Sequence, residues 1–151
     1  MRNRIIIKRI NVPLEKAKKA ICNLLMDNYL EYTVEDNVIT STHIPIILGN
    51  IDKRFYLKGK TMAINPFVCI SKITITLPTQ PGGEMNIQID ITRCLYTILF
   101  FIFAGLLVLI ADPRIAIFFL IAVIFVYQYE VNHLVLGRIP QYINEALNKE
   151  L

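Results

Sequence analysis

The chain has 151 residues, 54% of them apolar, with a formal net charge of +4 at pH 7 and a mean hydropathy of +0.48. Its three cysteines, Cys22, Cys69 and Cys94, are odd in number and widely spaced, which excludes a disulfide framework and a paired metal-ligand motif and suits a reducing cytoplasm. The mild basicity calls for no nucleic acid, because a basic domain held beside a bilayer is drawn toward anionic headgroups.

In chain order, Arg4 to Ile10 is rich in β-branched residues and predicts a strand. Asn11-Val12-Pro13 opens a helix running to about Leu30, with Pro13 in the first turn. Leu14, Ala17, Ile21, Leu24 and Leu25 fall on one stripe of it. Tyr32 to Glu35 and Val38 to His43 read as two short strands turning at Asp36-Asn37.

Ile44 to Asn50 is an apolar loop without periodicity. Ile44, Ile46, Ile47 and Leu48 are its candidates for contact with a partner or ligand, against the plainer reading of core cover. Arg54 to Ala63 predicts one strand. On it Arg54, Tyr56, Lys58 and Lys60 alternate onto one face, read first as an ordinary solvated surface, next as a contact for anionic lipid and last as a nucleic-acid-binding sheet. Asn65-Pro66 breaks the chain. Cys69 to Leu77 and Glu84 to Arg93 are the clearest strands. In the first, Ile73, Ile75 and Leu77 alternate with Lys72, Thr74 and Thr76; in the second, Met85, Ile87, Ile89 and Ile91 alternate with polar residues. Each has one dry face and one wet face, as in an antiparallel sheet covered on one side. Pro78 to Gly83 turns one into the other.

Cys94 to Tyr129 is an apolar block cut once, at Ala111-Asp112-Pro113-Arg114. The first part, 94–111, holds 18 residues without a charge; at ~1.5 Å per residue it spans about 27 Å, close to the hydrocarbon thickness of a bilayer. Its 12 Leu, Ile, Phe and Val residues favour insertion by about 4–7 kcal/mol. The second part, 113–129, has ten. A single buried helix would hold Asp112 and Arg114 at mid-membrane, at about 2.5–3.5 kcal/mol each. At the far interface Asp112 is instead a good N-cap and Pro113 a good first helical residue, so the block predicts a two-helix transmembrane hairpin.

Fifteen of the 16 basic residues flank the hairpin and one, Arg114, lies in its turn, so both termini are expected in the cytoplasm. Arg93, Tyr96, Asp112, Arg114, Tyr127 and Tyr129 are the expected membrane-interface residues. Beyond the second span Gly137 and Pro140 predict a break, followed by an amphipathic helix over 138–151. Ile139, Tyr142, Ile143, Ala146, Leu147 and Leu151 line one face of that helix, and the dry side of the sheet is its expected cover.

The expected architecture is thus α+β: a small antiparallel sheet of about five or six strands with one N-terminal and one C-terminal helix, and the hairpin inserted between the last strand and last helix. Residues 1–93 form the cytoplasmic domain, 94–129 the hairpin, and 130–151 a juxtamembrane segment and helix packing back on the domain. The strand runs into the first span without a Gly, Pro or Ser linker, which predicts a stiff junction.

The sequence carries no P-loop, dinucleotide-binding glycine pattern, nucleophile elbow or zinc-binding histidine pair. A Cys69–His43 pair would need an orienting third group and an oxyanion donor, and none is evident. No catalytic, cofactor or metal residue is therefore expected. Within the spans the polar residues, Tyr96, Thr97 and Gln128, all sit near the cytoplasmic end, which argues against a carrier or pump. The expectation is a non-enzymatic, membrane-anchored scaffold or accessory subunit that binds a protein partner or another copy of itself. Two other readings stay open: a tethered sensor for a small apolar or anionic ligand, and a membrane-perturbing effector acting through oligomerised hairpins.

Overall fold

The computed structural model describes residues 3–28, 30–42, 55–58, 61–64, 66–111 and 113–149. In chain order the elements are β1 (Asn3–Arg9), α1 (Leu14–Asp27), β2 (Glu31–Glu35), β3 (Val38–Thr42), β4 (Phe55–Lys58) and β5 (Thr61–Ile64). A 3-10 turn (Pro66–Cys69), β6 (Lys72–Thr76), β7 (Glu84–Asp90), α2 (Thr92–Ala111) and α3 (Pro113–Gln128) follow. The chain continues through a π-helical stretch (Tyr129–Arg138) into α4 (Ile139–Asn148).

Five strands form one antiparallel sheet in the order β1-β7-β6-β3-β2, and among the described residues β4 and β5 pair with each other as a separate two-stranded sheet. The period-2 alternation of the sequence becomes two distinct faces. Ile6, Ile87, Ile75, Ile39 and Val34 are successive cross-strand partners, one row running through all five strands. The three central isoleucines of that row are fully buried. Ala17, Ile21 and Leu25 of α1 and Ile139, Ile143 and Leu147 of α4 join them in a single apolar cluster. The α+β fold therefore has two layers, with the sheet below and α1, α4 and the π stretch above.

Local signals explain the element ends and correct several expectations. α1 stops at Asp27, short of Leu30, because Asn28 caps it: its Nδ2 donates to the Leu24 carbonyl (2.8 Å) and its N–H to the Leu24 and Leu25 carbonyls (3.2 Å each). Pro13 precedes the helix as its cap residue instead of entering the first turn. The β2–β3 turn falls at Asp36-Asn37, with Asp36 left-handed (φ 49°). Asn37 also holds the next strand, donating from Nδ2 to the Leu77 carbonyl (2.7 Å) and accepting from the Leu77 N–H (2.8 Å).

The strand expected over Arg54–Ala63 is a hairpin, with Lys58 opposite Thr61 in its register. The alternation of Arg54, Tyr56, Lys58 and Lys60 is equally compatible with one strand or with the first arm of a hairpin, which is why a single strand is expected. The strand expected from Cys69 begins only at Lys72, since Pro66–Cys69 coils into the 3-10 turn. The break expected at Gly137 and Pro140 is absent: α3, the π stretch and α4 are continuous. Pro140 falls where the π ladder gives way to α, and the wider turn makes room for a ring that would clash in a regular α-helix.

Ile117–Asn148 is a helix of 32 residues whose most apolar stretch of 18 has a mean hydropathy of 1.6, long and apolar enough to cross a membrane. α2 and α3 pack antiparallel. The Phe101 and Phe119 rings lie 6.3 Å apart. Gly105 allows the close approach, because a Cβ there would stand 2.9 Å from Phe119 Cδ1 and 3.2 Å from Leu120 Cδ2.

Replacing Ile143 by Ala is expected to cost about 2–5 kcal/mol in chemical denaturation, since its site is closed on every side. Gly83→Ala should cost about 1–3 kcal/mol, because its Cβ would meet the Pro78 ring at 2.5 Å.

Candidate functional site

Two features of the domain stand out: the seam where the sheet passes into α2, and the sheet face that the helices leave open. The seam begins at Asp90, the last residue of β7. One oxygen of its carboxylate accepts from the Thr92 N–H at 2.8 Å and also from the Thr92 hydroxyl. A carboxylate at this position satisfies an otherwise orphaned helix N–H and complements the positive end of the helix dipole. That is why the expected strand to Arg93 ends at Asp90 and the helix starts two residues later.

A second strap crosses from the segment before β6. The Ser71 N–H donates to the Asp90 carbonyl (2.9 Å), and Ser71 Oγ accepts from the Arg93 N–H (2.9 Å). The Cys94 thiol donates to the Cys69 carbonyl at 3.0 Å. Four consecutive residues, Ile91 to Cys94, are thus buried or bonded to the domain, and the junction has no swivel.

Cys69 is a packed thiol here. Burial pushes its pKa up to about 12, with the neighbouring Glu130 carboxylate and Cys94 thiol adding to the effect. Such a thiol stays protonated near neutrality and is a poor nucleophile. His43, the partner considered for it, lies outside the described residues. Among the described residues no group of three or more His, Cys, Asp or Glu is placed to hold a metal ion.

The open face of the sheet is polar. Its rows, read across the strands, are Asn3-Asp90-Lys72-Thr42-Glu31, then Ile5-Gln88-Thr74-Thr40-Thr33, then Ile7-Asn86-Thr76-Val38-Glu35. The first row lies at the end where α2 departs. An open hollow of about 390 Å³ there is lined by Asn3, Lys72, Thr74, Gln88 and Asp90. At the β1 edge Ile5 and Ile7 stand 61% and 63% exposed, unusual for isoleucine on a sheet.

The residues singled out from the sequence are scattered among these features. Arg93 is half-buried in the seam, and Tyr96 is exposed one turn further along α2. Arg114 is exposed at the start of α3. Tyr127 is half-buried against the domain core, while Tyr129 is exposed and lies with its ring 5.0 Å from that of His133. Tyr56 and Lys58 lie on β4, and Arg54 and Lys60 fall outside the described residues. Asp112 and the loop residues Ile44, Ile46, Ile47 and Leu48 also lie outside the described residues. Asp90 and Ser71 were not anticipated. Asp-x-Thr ahead of an apolar run is a legible cap signal, whereas Ser71 reaches a backbone 22 positions away and leaves no local trace.

No family model, curated protein or solved structure matches the chain.

Asp90→Ala is expected to lower stability by about 0.5–2 kcal/mol in a denaturant titration, the usual loss for a helix cap. Iodoacetamide at neutral pH should modify Cys69 far more slowly in the folded chain than after denaturation, which mass mapping would read.

Proposed function

We propose that the chain is a membrane-anchored, non-enzymatic scaffold, in which residues 94–111 and 113–129 form a two-helix transmembrane hairpin and the α+β domain presents its open sheet to a protein partner or a second copy at the cytoplasmic surface. The membrane is a plasma membrane, or the inner membrane of a bacterium. Arg93, Tyr96, Tyr127 and Tyr129 lie at its cytoplasmic interface, and Asp112 and Arg114 at the far one.

The observation that carries this reading is the outward face of the helix pair. Thirteen Leu, Ile, Phe and Val side chains of α2 and α3 are exposed, among them Phe100 at 67%, Phe118 at 75% and Phe125 at 68%. At about 1.5–3 kcal/mol for each side chain buried, their removal from water is worth about 20–40 kcal/mol. That exceeds the whole stability of an ordinary domain, about 5–15 kcal/mol, so water is not the solvent of this surface.

Connectivity supports two crossings over one. α2 leaves the domain from a bonded seam, and α4 returns to the same buried cluster. A segment that leaves and re-enters one core crosses a bilayer an even number of times. The C-terminal part of the long helix, with Val131, Val135, Ile139 and Ile143 in the domain core, then lies outside the lipid.

Support for a scaffold role comes from the sheet. One face is filled by α1 and α4, and the other is open and polar.

The chain should resist extraction by alkaline carbonate and need detergent to leave the membrane, and reporters fused at its two ends should both lie in the cytoplasm. Purified in a gentle detergent, it should have the mass of a multimer or carry a partner. A lone monomer without a partner would overturn the scaffold reading.

A further inference from the structure

Resting on the transmembrane reading above, we infer that the polar hollow at the α2 end of the sheet holds one lipid headgroup of the phosphoethanolamine class, with its phosphate on Lys72 and its ammonium on Asp90. The hollow, about 390 Å³, is lined by Asn3, Lys72, Thr74, Gln88 and Asp90. That size falls at the lower end of the range for small-ligand sites, about 300–1,000 Å³.

Its place in the fold selects a ligand that belongs to the bilayer. Asp90 ends β7, and α2 starts two residues later at Thr92. From Thr92 to the exposed Tyr96 the helix rises only about 6 Å. A bilayer carries about 5–7 Å of headgroup region on each side of its hydrocarbon core. With Tyr96 at the boundary of that core, the row Asn3-Asp90-Lys72 stands at the level of the headgroups. The bonded seam of Asp90, Thr92, Ser71 and Arg93 holds it there.

The lining selects among headgroups. Lys72 and Asp90 are direct partners across β6 and β7, so one positive and one negative group stand side by side. Phosphoethanolamine presents the complementary pair, an anionic phosphate two carbons from an ammonium. Lys72 is exposed and, among the described residues, makes no ion pair, so its ammonium is open to a phosphate oxygen. The Asn3 and Gln88 amides and the Thr74 hydroxyl are donors for the other phosphate oxygens. One oxygen of the Asp90 carboxylate accepts from Thr92, which fixes the group in place. A carboxylate accepts several hydrogen bonds, so the lipid ammonium adds to those from Thr92. A phosphoglycerol headgroup would bring Asp90 no cation, and phosphocholine has no N–H to donate. A nucleotide would meet a single lysine and no aromatic ring in this lining. The hollow is shallow and its contacts are weak in water. A lipid offsets that weakness because it is confined to the same surface as the site, which raises its effective concentration.

The test uses the full chain reconstituted in nanodiscs of phosphatidylcholine with equal minor fractions of phosphatidylethanolamine and phosphatidylglycerol. Released into gentle detergent and read by native mass spectrometry, the chain should retain phosphatidylethanolamine about tenfold above its share in the disc. Lys72→Ala should abolish that excess and Lys72→Arg should keep most of it. Thr33→Ala, on the same sheet face but outside the hollow, should leave it unchanged. Should Lys72→Ala fail to fold, Gln88→Ala gives a second variant, with a smaller loss. Free phosphoethanolamine should displace the lipid only at about millimolar concentration or above. Displacement at micromolar concentration would assign the hollow to a soluble ligand and overturn the lipid. Equal retention of the three lipids, or an excess that survives both Lys72→Ala and Gln88→Ala, would overturn the headgroup site and leave the hairpin standing. A chain that stays in buffer without detergent and never enters the disc would overturn both.

Discussion

Both ends of the apolar helix pair are fastened into one hydrophobic core, and the rest of the architecture follows from that. The near end leaves through Ile91 and Cys94, which are buried with the sheet. The far end comes back through Val131, Val135, Ile139, Ile143 and Leu147, which close the space above the same sheet. Ile73, Ile75, Ile87 and Ile89 are buried in the one cluster that the returning helix shares. The domain is completed only after the chain has made its excursion.

This arrangement ties the position of the domain to that of the helices. A flexible linker would let a tethered domain sample a hemisphere of orientations. Here the Asp90 carboxylate holds the first N–H of α2, and Ser71 bridges to the Arg93 backbone. On the other side the helix simply continues, from Pro113 to Asn148 without a break. Two stiff connections suppress tilting far better than one, so the open sheet face and its edges have a defined direction relative to the helix pair. For a surface that receives a partner, such pre-organisation lowers the entropy cost of binding.

Much of this was legible residue by residue. Alternation in Lys72–Thr76 and Glu84–Asp90 announced strands with one wet and one dry face, and Asp36-Asn37 announced its turn. The unbroken apolar run from Leu95 announced a helix. Misreadings arose where two local signals competed. Alternating residues over Arg54–Lys60 suggest one strand, whereas β4 and β5 pair as two. Gly137 and Pro140 looked like a helix break because their cost is fixed locally. Their tolerance depends on the π geometry and on packing against the 3-10 turn and the core. Ser71 was invisible because its partner lies far away along the chain.

From its own residues the chain determined its class, an α+β domain with an apolar helical insertion, because periodicity and hydrophobicity are local properties that survive any arrangement. Tertiary structure alone decided which strands became edges, and so which charges lie along the two open rims of the sheet. The basic run of β1 and the acidic ends of β2 are unremarkable in the sequence, about twenty residues apart. In the fold β7, β6 and β3 come between them and leave one at each border of the five-stranded sheet. Strand order is set by long-range burial of the isoleucine rows, and no local pattern encodes it.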